Sequence, residues 1–446
     1  MAISEGLKTS LNAIREISSE IYHQYVPIID DDTDIGTFGA PILSTPVVMN
    51  EFVSALVNRI VYTQFETKYF RNPLQVLEGD RIPLGYAGQE IYVNPAKGRK
   101  FNVDDFAGLL VKYEADVKVQ YTAVNMDLQY PVTVSRHKLK QAFVSWDALD
   151  TFIGQLSNSL YNGAYIDEFQ FSKELVAGAY KSNQAQIQVI DAPNSEALAK
   201  QFITKARELF LNFQTPSTSY NAWAKVGGEG RPVKTWTNPE DIVFLLRNDI
   251  RAYLDVNVLA DAFNIGKAEL LGNILTVDNF DQYDDDGTKI FDGSGIVGMI
   301  ADKSWFRIKR QDMFLDEFYN ANNRTWQYYL NLTKMYNYSL FANGVIFATS
   351  APTVNATAIV VDKDEVEVGV GKTAKVTVTT TPFSANQSMS VSSSTEAVAT
   401  ATISGKVITI TGVASGDGVD GTSTVTVTCG NLTDTISVTV PYVASE

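Results

Sequence analysis

The sequence reads as an α+β body followed by an all-β sandwich, and three features lead there. Composition breaks near Ala351: all five Trp and every Arg precede it, while residues 351–446 hold only Phe383 and Tyr442 as aromatics. Beyond the break, runs such as AKVTVTTT, KVITITGV, STVTVTCG and DTISVTVP alternate apolar with hydroxyl side chains, the period of two that half-buries a strand. Before it, helical and β-prone stretches follow one another without the regular alternation of βαβ units. Residues 1–350 are therefore expected as the body and 351–446 as a separate domain, with Ala351 and Pro352 as the hinge.

The start, MAISEGLKTSLNAIREISSEIYHQY, has helical apolar spacing and acidic residues, so a signal peptide is not expected. VVMNEFVSALVNRI predicts a helix over 47–60. RNPLQVLEGDRIPLGYAGQEIYVNPAKGRKFNVDD is β-prone but interrupted by Pro73, Pro83, Pro95 and glycines, as a projecting arm or hairpin would be. A second helical pattern spans about Lys138 to Leu175, long enough to require a spine-like element or a kink near Gly163. DIVFLLRNDIRAYLDVNVLADAFN predicts a strand then helices, and GIVGMIADKSWFRIKR a buried strand, a turn and a strand. RTWQYYLNLTKMYNYSLFANGVIFATS has the aromatic alternation of long paired strands. In the tail, Gly369, Gly371, Gly405, Gly412 and GDGVDG (416–421) punctuate about seven strands.

The 446 residues, 45% of them hydrophobic, supply two or three cores. A net charge of −15 argues against a chain that neutralises many nucleic-acid phosphates, because that affinity comes from clustered Lys and Arg. No run approaches the length of a membrane-spanning helix. Cys429 is the single cysteine, which excludes an internal disulfide and a multi-cysteine metal site.

Gly371-Lys372-Thr373 imitates the end of a phosphate-binding loop. That loop requires Gly where Val366 stands and a helix where AKVTVTTTP continues as a strand, so a strand-connecting turn is expected. DDDTDIG (Asp30–Gly36) and DQYDDDG (Asp281–Gly287) carry carboxylates near glycine, as calcium loops do. In the calcium register, however, Thr33 and Ile35 occupy positions 3 and 5 of the first, and Gln282 and Gly293 positions 1 and 12 of the second. Both read as solvated turns. His23 and His137 are too few for a histidine metal centre, and His137 reads as a polar capping or surface residue. The carboxylate pairs Asp104–Asp105 and Asp167–Glu168 read as an exposed loop and an exposed helix face. No nucleophile motif accompanies them, and no catalytic residue, cofactor or metal is expected. Arg71, Arg81, Arg99 and Lys100 lie in the arm, opposite in sign to the chain as a whole. They are candidate contacts to an acidic neighbour of the same sequence, or scattered exposed charges.

With these blocks in view the tail resembles the group 2 bacterial immunoglobulin-like domain (BIG2). Gly371, Thr373, Pro382, Ser393, Val398, Ala399, Thr400, Gly405, Gly412 and Val413 carry the likeness, and Val391 stands where the family usually has Trp. The body resembles the major capsid proteins of small short-tailed phages of the phi-29 type, which have the Hong Kong 97-type fold. The matching blocks are NPLQVLEGDRIPLG with EIYV, LKQAFVSW with IDEF, DVNVLADAFN with LLGN, ADKSWF and SLFANGVIFA.

The resemblance implies an N-terminal arm, an extended loop near 68–125, a spine helix near 138–177, and peripheral and axial subdomains. It implies a structural protein forming hexamers and pentamers of an icosahedral or prolate shell around double-stranded DNA, assembled in a bacterial cytoplasm and found in the virion. The partners implied are other copies of the chain, a scaffolding protein, the portal and head fibre proteins. Packaged DNA would be met only through weak inner-face contact, and no membrane is involved. The tail is expected outside the shell, bridging neighbours or touching host glycans. A nanocompartment shell shares this fold and stands as the alternative; a surface adhesin is a further one, but it requires an export signal or anchor.

Overall fold

Three short polar residues start the N-terminal helices by accepting the free N–H groups of a first turn. Ser4 receives Leu7 N–H before helix Glu5–Ile17, Ser19 receives Tyr22 N–H before Glu20–Tyr25, and Asp34 receives Gly36 and Thr37 N–H before Ile35–Ser44. The computed structural model describes residues 3–62, 70–83, 85, 88–100, 111–227, 231–257, 274–284 and 286–442. They divide into two units, one of Met1–Glu90, Tyr121–Lys173 and Phe306–Tyr338, the other of Ile91–Gln120, Glu174–Trp305 and Ser339–Glu446.

In the first unit, helix Pro46–Tyr62 matches the helix expected over 47–60. Its Phe52 joins Phe38, Phe143 and Trp146 in an aromatic cluster with centroids 5.5 to 6.0 Å apart. The second helical pattern is two helices, Arg136–Ala142 and Trp146–Lys181. The break falls where Phe143 turns into the aromatic cluster and the Ser145 hydroxyl receives the Ala148 N–H at 3.1 Å. The second helix runs 36 residues, about 54 Å at 1.5 Å per residue, and continues through Gly163. Instead of kinking the helix, Gly163 admits the Tyr130 ring, which a Cβ there would meet at 3.3 Å.

Tyr130 belongs to strand Met126–Ser135, the edge of an antiparallel sheet completed by Thr325–Tyr338 in the middle and Phe306–Asn320. The hairpin holds register from Phe306↔Tyr338 to Asn320↔Thr325 with one shift between Arg310 and Asp312. Pro131 is tolerated because its strand is an edge.

The second unit contains a five-stranded sheet in the order Gln186–Val189, Gly344–Ala348, Ile296–Asp302, Ile242–Arg247, Ile274–Val277. Its three inner strands are buried almost throughout, which explains continuous apolar runs such as IVFLL and GVIFA. Helices Glu196–Phe213 and Asn248–Asn257 contribute Phe202, Phe213, Ile250 and Leu254 to the core, with Phe202 and Phe347 rings edge to face at 5.1 Å. The further helix expected after Asn257, with LADAFN and LLGN, falls at 258–273, outside the described residues.

The C-terminal strands form two four-stranded sheets. One orders Ala358–Val361, Thr373–Thr381, Val407–Gly412, Ala399–Ser404; the other Glu365–Glu367, Leu432–Val440, Gly421–Cys429, Met389–Ser393. Eight strands among the described residues replace the seven expected, because the three-residue Glu365–Glu367 also pairs. Val366 lies on it, buried and opposite Val438, so the residue that excludes a phosphate loop is part of the core. Gly371 turns the chain at φ 70 and donates to Gly412 O at 2.8 Å, after which Thr373 opens a strand. Val376, Val378, Ile408, Ile410, Val425, Val427 and Ile436 fill the space between the sheets. Ile410→Ala is expected to cost the sandwich about 2–5 kcal/mol, through lost burial and the cavity left. Urea unfolding followed by the reactivity of buried Cys429 measures it, and an unchanged midpoint would contradict this core.

Candidate assembly surface

The long helix carries a buried row at helical spacing, Leu160, Ala164, Glu168, Ser172 and Val176, and its middle member is charged. Glu168 meets the Lys334 ammonium at 2.5 Å and Arg310 at 3.7 Å. Lys334 also lies 2.9 Å from Glu78, and Arg310 3.4 Å from the same carboxylate. Lys334 and Glu168 are 1% and 2% exposed. The expected exposed face at Asp167–Glu168 is therefore corrected. Glu168 is an internal ion-pair partner, and Asp167, half-buried, accepts the Tyr130 hydroxyl at 2.9 Å. Burial raises the Asp167 carboxyl, and burial and that carboxylate together raise the Tyr130 phenol. The apolar row at 160, 164 and 176 was the available sign that Glu168 points inward. Asp104 and Asp105 lie outside the described residues.

Glu78 leads into the arm. The chain is stitched there to the hairpin by Gly79 N–H to Ile308 O at 2.8 Å and Ile82 N–H to Arg310 O at 2.9 Å. Arg71 is exposed. Arg81 is exposed but engaged, its guanidinium bonding Asp312 at 2.9 Å and Gln311 O at 3.0 Å. In the other unit, Arg99 donates to the Tyr113 hydroxyl at 2.9 Å and lies over that ring, while Lys100 is exposed. The four basic candidates thus divide between two units, two in each.

Strands Gly88–Val93 and Val117–Thr122 pair as a two-stranded ribbon within the expected arm. Below it Asn94 and Lys118 hold the Asp116 carboxyl under the usual carboxylate range, at 2.7 and 3.0 Å. Ile91, Val93, Tyr113 and Val117 are largely exposed, as are Phe314 and Phe318 on the hairpin strand of the other unit. In each unit, large apolar side chains left exposed in this way are candidates for burial against another copy of the chain.

The acidic loops are structural. Asp30 accepts from Thr33, Asp31 pairs with Lys8 at 2.8 Å, and Asp34 caps its helix. Asp281 is buried, a correction to the solvated turn expected there. It accepts Gly293 N–H and pairs with Lys289, each at 2.8 Å. Burial alone would raise its carboxyl, but Lys289 and the Gly293 N–H outweigh it and hold it below the usual range. The His23 ring bonds the Arg15 carbonyl, and His137 faces Gln141 at 3.2 Å while Ser135 caps their helix. Among the described residues no group of three or more His, Cys, Asp or Glu is placed to hold a metal.

The chain is similar in fold to a solved capsid structure of Staphylococcus phage Andhra, with a TM-score of 0.52 at 16% identity over 65% of this chain and 87% of that one. The architecture is thus a phage capsid fold. The Phi29-like phage major capsid protein family matches residues 11–348. The major capsid protein of Bacillus phage B103 is 28% identical over 355 residues, 79% of this chain and 75% of that protein. That of Bacillus phage PZA is 29% identical over 341 residues, 76% and 72% of the two chains. The chain belongs to the Phi29-like phage major capsid protein family, and it is a structural component of a phage virion.

Lys334→Met leaves two carboxylates beside an empty ammonium position and is expected to cost about 3–5 kcal/mol. Urea unfolding of the unassembled chain measures this, and adding Glu168→Gln should recover part of the loss. Because the Asp281 carboxyl lies lower in the folded chain than in the unfolded one, its contribution is full above about pH 4 and fades as pH falls through the folded value. Asp281→Asn should therefore lower stability at neutral pH and flatten its decline in acid, read by thermal melts from pH 7 to 3.

Proposed function

We propose that copies of this chain assemble as hexamers and pentamers into a closed icosahedral or prolate shell around double-stranded DNA, in a purely structural role without catalysis. The observation that carries the reading is the family match across residues 11–348 on a phage capsid fold. The same match ends within three residues of the composition break at Ala351, which supports residues 351–446 as a separate domain, read from its motifs as a group 2 immunoglobulin-like sandwich carried on the outside of the shell. A scaffolding protein, the portal and head fibre proteins are the further partners of such a shell. The net charge of −15 keeps contact with packaged DNA weak.

Arg71, Arg99 and Lys100 are the cations of the arm that meet acidic surface on neighbouring copies, while Arg81 divides its charge with Asp312. Negative-stain microscopy of the purified full chain tests the assembly. Closed particles are expected, and a homogeneous monomer under every assembly condition would overturn the reading, whereas native particles filled with an enzyme instead of DNA would favour a nanocompartment. The triple change Arg71→Glu, Arg99→Glu, Lys100→Glu should lower the assembled fraction, and salt should weaken wild-type assembly as the screening length falls from about 10 Å at 0.1 M to about 3 Å at 1 M.

A further inference from the structure

The C-terminal sandwich meets the rest of its own unit through a small set of side chains that close around Phe383. Asn183, two residues past the long helix, sits at φ 52, a conformation Asn tolerates better than most residues. Its side-chain N–H donates to Ser384 O at 2.9 Å, and its side-chain carbonyl accepts from Lys225 at 3.0 Å. Gly227 ends the turn Trp223–Val226 at φ 76, and a Cβ there would lie 2.9 Å from the Phe383 ring, so the ring covers bare backbone. From the sandwich side the Lys406 ammonium stands 4.2 Å over the same ring and donates to Thr380 Oγ1 at 2.7 Å. Burial lowers the Lys225 and Lys406 ammonium groups, which marks the junction as partly dry.

The connecting segment is held as well. Tyr180 donates its hydroxyl to Ser350 O at 2.8 Å, and the Asn386 side chain accepts Val354 N–H at 2.8 Å and donates to Pro352 O at 2.7 Å. A flexible linker leaves its segment solvated and its domain free to reorient. Here both the linker and the loop carrying Phe383 are bonded.

We infer that Phe383 and Ser384, seated on Asn183, Lys225 and Gly227, form a latch that fixes the sandwich in one orientation on its own body. The tail is carried as a rigid projection and does not swing on its linker. This goes beyond the assembly proposed above and does not rest on it, since the contacts lie within one chain.

The test uses the full chain, kept unassembled, with a fluorophore attached through Ser437→Cys on an exposed position of strand Leu432–Val440. Cys429 is buried and does not compete for the label. Time-resolved anisotropy should report tumbling of the whole chain, and Phe383→Ala with Asn183→Gly should shorten the correlation time several-fold. Glycine keeps the left-handed backbone at 183 while removing the bonds. A sandwich that already tumbles fast in the parent chain, or one that the double variant leaves slow, would overturn the latch. Without the label, Cys429 staying unreactive to a thiol reagent reports that the variant sandwich is folded; if Phe383→Ala exposes it, Asn183→Gly alone supplies the readout. Monomers that never form shells would defeat the assembly reading and leave this measurement intact.

Discussion

The constraint on which the first unit turns is the disposal of two cations placed side by side. The hairpin register sets Arg310 directly opposite Lys334, and like charges in that position repel. Glu78 and Glu168 resolve the conflict by lying between them, one from the root of the arm and one from the long helix. Each of the four charges is costly to desolvate alone, and the low-dielectric interior repays that cost only when all are in place. Helix rotation, strand register and the path of the arm are thereby tied to one arrangement. A one-residue slip in the hairpin would turn Lys334 to the other face of the sheet and strand both carboxylates.

The second unit uses the opposite strategy. Its central strands bury both faces and tolerate almost no charge, so the sheet is specified by volume: Phe202, Phe244 and Phe347 interlock with centroids of 5.1 to 6.0 Å. The sandwich that follows alternates instead, with valine and isoleucine inward and threonine outward. Specificity from ion pairing, from packing and from alternation thus occur along one chain, and the apolar ribbon around Ile91, Val93 and Val117 stands apart from all three because its side chains remain exposed.

Where local pattern and tertiary packing agree, the fold was legible. The tail strands, the helix at Pro46–Tyr62 and the rejection of a phosphate loop at Val366 all follow from periodicity and from one misplaced residue. Helix Ile35–Ser44 was not legible, because Gly36, Gly39 and Pro41 all disfavour a helix locally. It forms because Phe38 and Ile42 are buried and Gly39 gives the Phe143 ring room that a Cβ would fill at 2.7 Å. Glu168 and Asp281 were misread for a related reason: a carboxylate in an acidic chain is exposed by default, and only partners distant in sequence, Lys334 for one and Gly293 N–H for the other, reverse it. The arm's basic residues could be named from the sequence but not their partners within the chain, Asp312 for Arg81 and Tyr113 for Arg99, because those lie far along the sequence or depend on the fold.

The exit of the tail follows from the sheet it leaves. Gly344–Ala348 is an inner strand, held by Gln186–Val189 on one side and Ile296–Asp302 on the other, so the chain departs from a fixed point and direction. Ala358 already begins the sandwich, and the residues between are bonded at Thr349 to Gly295, at Ser350 to Tyr180 and at Pro352 and Val354 to Asn386. A connection this short, leaving a buried strand and bonded to Gly295 at Thr349 and to Tyr180 at Ser350, narrows the orientations open to the sandwich. The Phe383 seat then has little entropy left to oppose it. The exit narrows the range of orientations, and the seat of Phe383 and Ser384 on Asn183, Lys225 and Gly227 selects one of them.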